Sequence, residues 1–136
     1  MEIELAFLAD AAQETAGKLN ALGIGIDQIL ADQVPSFHPV MYLVLKIALQ
    51  PIECDRPHQM EIVLWDPDGQ TIGPQLNGEF SASRRADDPL KVSYAQVVVS
   101  MIGQRFPREG DYAFHIVIDG QEKKVLPLTI RLRRNN

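Results

Sequence analysis

Apolar and polar residues alternate along most of this chain with the two-residue period of β-strands. The last third shows the pattern best. Tyr112, Phe114, Ile116 and Ile118 alternate with Ala113, His115, Val117 and Asp119, which gives one wholly apolar strand face. Asp119-Gly120 supplies the positive-φ residues of a tight hairpin turn, and Leu126, Leu128, Ile130 and Leu132 resume the alternation on the return. Pro107 and Gly110 mark the loop that delivers Tyr112 into this hairpin. Upstream, Val40 to Leu49 reads as the strongest central strand, with Met41, Leu43, Leu45, Ile47 and Leu49 on one face. Met60, Ile62 and Leu64 form another inward face, opposed by Glu61, Val63 and Trp65. Asp66-Pro67-Asp68-Gly69 then closes that strand as a turn, because proline fixes φ and glycine tolerates positive φ.

The weaker patterns complete the outline. Ile3 to Ala9 is apolar on both faces, as is Val97-Val98-Val99 within a long strand running from Val92 to Ile102. Asp10 to Gly17 predicts one helical turn, with Asp10 as cap, Gln13 in the capping-box position and Gly17 as the stop. Leu22, Ile24 and Ile26 alternate with Gly23, Gly25 and Asp27, which predicts a strand with a bulge or a close backbone approach. Short strands are expected at Ile72 and from Leu76 to Ala82, and loops over Asp32 to Pro39, Pro51 to Pro57 and Ser83 to Pro89. The total is about eight strands with at most one helical turn and no crossover helix. That points to an all-β fold, a two-sheet antiparallel β-sandwich of immunoglobulin-like or C2-like type, in one domain over residues 1–136.

At 136 residues the chain is long enough to bury a core without a metal or disulfide. Its hydrophobic content of 46% and charged content of 23% are those of a globular protein. A net charge of −5 argues against nucleic acid and against an anionic membrane surface as partners. The local basic group Arg131, Arg133 and Arg134 reads as a solvated strand edge and tail. Cys54 is the single cysteine, so there is no disulfide framework. The start Met1-Glu2-Ile3-Glu4 is acidic where a secretory signal is basic, and no apolar run approaches the ~20 residues of a membrane span. A cytoplasmic location is expected.

Two passages carry a resemblance. One is Ala9-Asp10-Ala11-Ala12 followed by Gly17-Lys18-Leu19-Asn20-Ala21-Leu22-Gly23; the other is Pro107-x-x-Gly110-x-Tyr112-x-Phe114-x-Ile116-x-Ile118-Asp119-Gly120. Together they resemble a bacterial family of small β-sandwich proteins catalogued as a domain of unknown function. The resemblance implies the fold and a bacterial cytosolic setting. It brings no catalytic or binding residues with it.

Candidate chemistry is sparse. Asp66 and Asp68 flank a turn and would offer calcium two carboxylates, with Asp10, Asp87 or Asp88 needed to approach the 6–8 oxygens calcium takes. A plain turn is the expected reading, and no metal or cofactor is assigned. His38, His58 and His115 share no ligand spacing, and His115 is expected at a surface or edge position. Cys54 near His58 has the composition of a nucleophile–base pair, but it lies in a loop without a helix dipole to favour the thiolate. Trp65, the only tryptophan, points outward, where a second sheet or partner subunit is expected to cover it. With no assembled catalytic set, the expectation is a non-enzymatic interaction or structural module. Strands apolar on both faces require a cover, and a protein partner or homo-oligomer would supply it. The alternative is a small-ligand or carbohydrate-binding module built on Trp65, Asp66 and Asp68 near the Asp66–Gly69 turn.

Overall fold

A computed structural model describes residues 1–134, which form ten β-strands and one short 3-10 turn. The strands are β1 (Glu2–Ala9), β2 (Ala11–Thr15), β3 (Lys18–Leu22), β4 (Gln28–Ala31), β5 (Ser36–Leu49), β6 (His58–Trp65), β7 (Thr71–Phe80), β8 (Ser93–Phe106), β9 (Gly110–Ile118) and β10 (Gln121–Leu132); the 3-10 turn is Pro51–Glu53. They assemble into a three-stranded sheet of order β1-β5-β8, a five-stranded sheet of order β4-β10-β9-β6-β7, and the separate hairpin β2-β3. One hydrophobic cluster draws on both larger sheets. Met41, Leu43, Leu45, Ile47 and Leu49 of β5 meet Met60, Ile62 and Leu64 of β6, Tyr112, Phe114, Ile116 and Ile118 of β9, and Leu126, Leu128 and Ile130 of β10. Burying each of these side chains contributes roughly 1.5–3 kcal/mol, so the alternating faces read in the sequence account for the core.

Several expectations need correction. The strand count is ten, not eight. Asp10 to Gly17 forms no helical turn: β2 and β3 pair as a hairpin, closed by Ala16 and Gly17 at φ +51° and +77°. A single isolated helical turn gains little, whereas two consecutive positive-φ residues close a hairpin, and this hairpin packs on β5 and β8. Leu22 to Ile26 is not one strand. The chain leaves β3 at Leu22 and is pinned to the end of β1 by Gly25 N–H donating to Leu8 O. Gly23 is required there, because an added Cβ would lie 2.2 Å from Asp10 Oδ2.

The expected loop at Pro35–Pro39 instead opens β5, whose Ser36 and Phe37 pair with Phe106 and Arg105. The register passes from His38–Gln104 to Val40–Ile102 without Pro39, which has no N–H to offer. β7 is one strand with a three-residue excursion at 73–75, because Ile62 faces Leu76 while Leu64 faces Ile72. The sheets are not wholly antiparallel, since β4 runs parallel to β10. β10 is therefore not an edge: Arg133 and Arg134 meet Asp32 and Glu109 at 3.7 and 3.3 Å.

The hairpin β9-β10 forms as the alternation predicts, with Asp119 and Gly120 at φ +50° and +82°. Its entry is fixed by Tyr112. The buried phenol donates to Arg108 O at 2.7 Å and accepts from Arg108 N–H at 3.1 Å, four residues upstream. Phe106 meets the same ring edge-on at 5.1 Å. Tyr112→Phe keeps the ring but leaves both Arg108 backbone groups without that partner. A loss of about 1–3 kcal/mol is expected in urea unfolding; an unchanged midpoint would show that the phenol is dispensable.

Candidate functional site

The turn after β6 holds the sequence-nominated residues. Asp66 Oδ1 accepts from the N–H groups of Asp68 and Gln70, each at 2.9 Å, which folds the turn onto its own first residue. Asp68 Oδ2 lies 2.5 Å from an Arg108 amine and Asp66 Oδ2 lies 3.7 Å from the same amine. Both carboxylates are thus engaged by backbone donors and one guanidinium. Gly110 is required beneath them, because it sits at φ +138° and an added Cβ would stand 2.5 Å from Pro67 Cγ. The other acidic candidates go elsewhere: Asp87 pairs with Arg85, Asp88 caps the N–H of Leu90, and Asp10 lies over Gly23. Among the described residues, no three His, Cys, Asp or Glu side chains gather as a metal site.

Trp65 remains 39% exposed and is covered from within its own sheet. The His115 ring stacks on the indole at 3.8 Å between centroids, and Glu122 meets the edge of that imidazole at Nδ1. His115 lies on β9, the middle strand of five, and is half-buried, so the expected edge position is corrected. The stack arises because β6 and β9 are neighbours, with Trp65 paired to Ala113 and Val63 to His115. One face of the only tryptophan is therefore occupied.

His58 is 1% exposed, and both of its ring nitrogens are taken. Nδ1 lies 2.6 Å from Asp119 Oδ2, and Nε2 lies 2.7 Å from Glu53 O. A carboxylate and a carbonyl only accept, so the arrangement is fully satisfied when both nitrogens donate, as they do in the imidazolium. Burial alone lowers the affinity of His58 for its second proton, but the bonds to Glu53 and Asp119 outweigh it and raise the pKa above 6.5. The His58 hydrogen bond holds Asp119 below the usual carboxylate range, aided by the Gln59 N–H on Oδ1. No nitrogen is left to act as a base toward Cys54, whose thiol donates to Gln50 O at 3.5 Å. The pair clamps the β9-β10 turn to the 3-10 turn and the start of β6.

One feature was invisible without strand order. β8 ends the three-stranded sheet, and among the described residues no strand pairs with its outer side. The other free edges are blunted. β1 carries Glu2 and a bulge around Glu4, β4 is four residues long, and β7 has Pro74 in its excursion. β8 has neither charge nor proline from Ser93 to Gln104. Its Gly103 end and the β7 edge border a cleft of about 340 Å³, lined by Ile72, Pro74, Leu76 and Ile102. Ile102 is 80% exposed at its rim.

The chain belongs to a family of unknown function, DUF6941, which matches residues 4–131. No curated protein matches the chain. Among the described residues, no helix is long and apolar enough to cross a membrane.

The His58–Asp119 clamp sets a pH dependence. A raised His58 pKa means its contribution is complete below pH 6.5 and is lost as pH rises through the folded value. The lowered Asp119 pKa means its contribution is present above pH 3.8 and is lost as pH falls below that value. The urea midpoint is expected to fall from pH 6 toward pH 9. Asp119→Asn should cost about 1–3 kcal/mol at pH 6 and flatten that fall; a variant with the wild-type pH slope would exclude the clamp as its source.

Proposed function

We propose that the protein is a non-enzymatic interaction module, a bacterial cytoplasmic β-sandwich of immunoglobulin-like type that accepts a further strand on the edge of β8. The sandwich reading is supported by one core shared between two sheets and by the Tyr112–Arg108 bond, which has the form of a tyrosine corner. The interaction reading rests on a single observation: β8 is an edge strand whose stretch from Ser93 to Gln104 lacks the charges and proline that keep other edges unpaired. Its main-chain donors and acceptors offer an extended segment a template, and the neighbouring cleft offers apolar side chains a seat.

The test is selection of a displayed random-peptide library on the immobilised chain and on its Tyr94→Lys/Ile102→Lys variant. Both positions are exposed, so the fold should survive. Peptides with alternating apolar residues should be enriched on the wild type and lost on the variant. Equal enrichment on both, or none on either from a monomeric wild type, would overturn the β8 assignment. On this reading Trp65 emission stays flat during titration with oligosaccharides and with calcium, since His115 and Arg108 already occupy that end. A saturable change would transfer the function to the Asp66–Gly69 turn.

A further inference from the structure

Resting on the β8 reading, we infer that the strand accepted is β8 of a second copy, paired antiparallel about a two-fold axis at Val98. Antiparallel self-pairing is isologous and closes at two chains, so it needs no second kind of surface. The sequence of β8 is self-complementary about that point. Tyr94 faces Ile102 of the second copy, Gln96 faces its Ser100, and Ala95 faces its Met101. Tyr94 and Ile102 are the two most exposed large apolar residues of the strand, at 46% and 80%, and each lies four residues from Val98. An aromatic opposite a β-branched residue is a favourable cross-strand pair, and the symmetry forms it twice.

Charge points the same way. The stretch from Ser93 to Gln104 holds no ionisable acid or base except the Tyr94 phenol, so self-pairing opposes no like charges. Lys46 Nζ lies 4.6 Å from the Tyr94 ring centre, a cation–π contact within one copy. Tyr94 of the second copy would arrive beside Ile102, at the rim of the cleft formed with Ile72 and Leu76. The joined sheet would run β1-β5-β8 and then β8-β5-β1 of the second copy, and both open β8 edges would disappear.

Sedimentation velocity and native mass spectrometry of the full chain test this. The wild type is expected at twice the 15.2 kDa chain mass. Tyr94→Lys/Ile102→Lys and Tyr94→Glu/Ile102→Glu should each be monomeric, with the dissociation constant raised at least roughly tenfold by opposing like charges. Mixing the two variants should restore a dimer, because lysine on one edge then meets glutamate on the other. Ile102→Lys and Ile102→Glu alone repeat the test at the most exposed position if a double variant unfolds. A wild-type monomer at several hundred micromolar would overturn the inference, and peptide capture by β8 would then still stand for the interaction reading. A dimer that persists in both like-charged variants would overturn the placement at β8.

Discussion

The middle strand of the smaller sheet must be covered on two faces, and much of the architecture answers that demand. β5 sends Met41, Leu43, Leu45, Ile47 and Leu49 into the core shared with the five-stranded sheet. Val44 points the opposite way and is nonetheless fully buried. On the same molecule the β2-β3 hairpin lies against β5 and β8 and is tied down by Gln96 Nε2–H donating to Gly17 O at 2.8 Å. Two-sided burial removes a strand from water on both faces, so a third layer has to be drawn from the same chain or from another. Of the strands first expected to need a partner, Ile3, Ala6, Val97 and Val99 pack against the core and Leu8 and Ala9 are buried. What remains uncovered is the outer edge of β8, with Tyr94 and Ile102 exposed along it.

The conspicuous polar residues divide by what they stabilise. Asp66 and Asp68 hold a turn and an arginine; Asp119 and His58 hold two turns together from beneath. Asp66 and Asp119 each accept from backbone N–H groups, and Asp68 holds Arg108. Cys54 and Trp65 are likewise engaged, the thiol by a carbonyl and the indole by an imidazole. β8 differs in kind. Its unpaired groups belong to the backbone, and a backbone edge recognises extended chain before it recognises any particular side chain.

The amino-acid sequence alone determined which residues face the core. Strict alternation from Tyr112 to Ile118 and from Met41 to Leu49 leaves one way to bury them, because a one-residue slip would turn each set toward water. It also determined the Asp119-Gly120 turn, where few residue pairs tolerate consecutive positive φ. Short-range patterns failed where a distant partner decided the outcome. Asp10 to Gly17 carries capping residues, yet its residues from Ala11 to Thr15 become a strand because they find a partner in β3 and pack on β5 and β8. His58 looked like a neighbour of Cys54 until residues 61 positions apart brought Asp119 to its ring. Strand order had no local signature either, so the parallel seat of β4 beside β10 and the open edge of β8 were tertiary decisions. Side-chain periodicity encodes the two faces of a strand, whereas its edges are backbone, which every sequence shares and only the assembled sheet distinguishes.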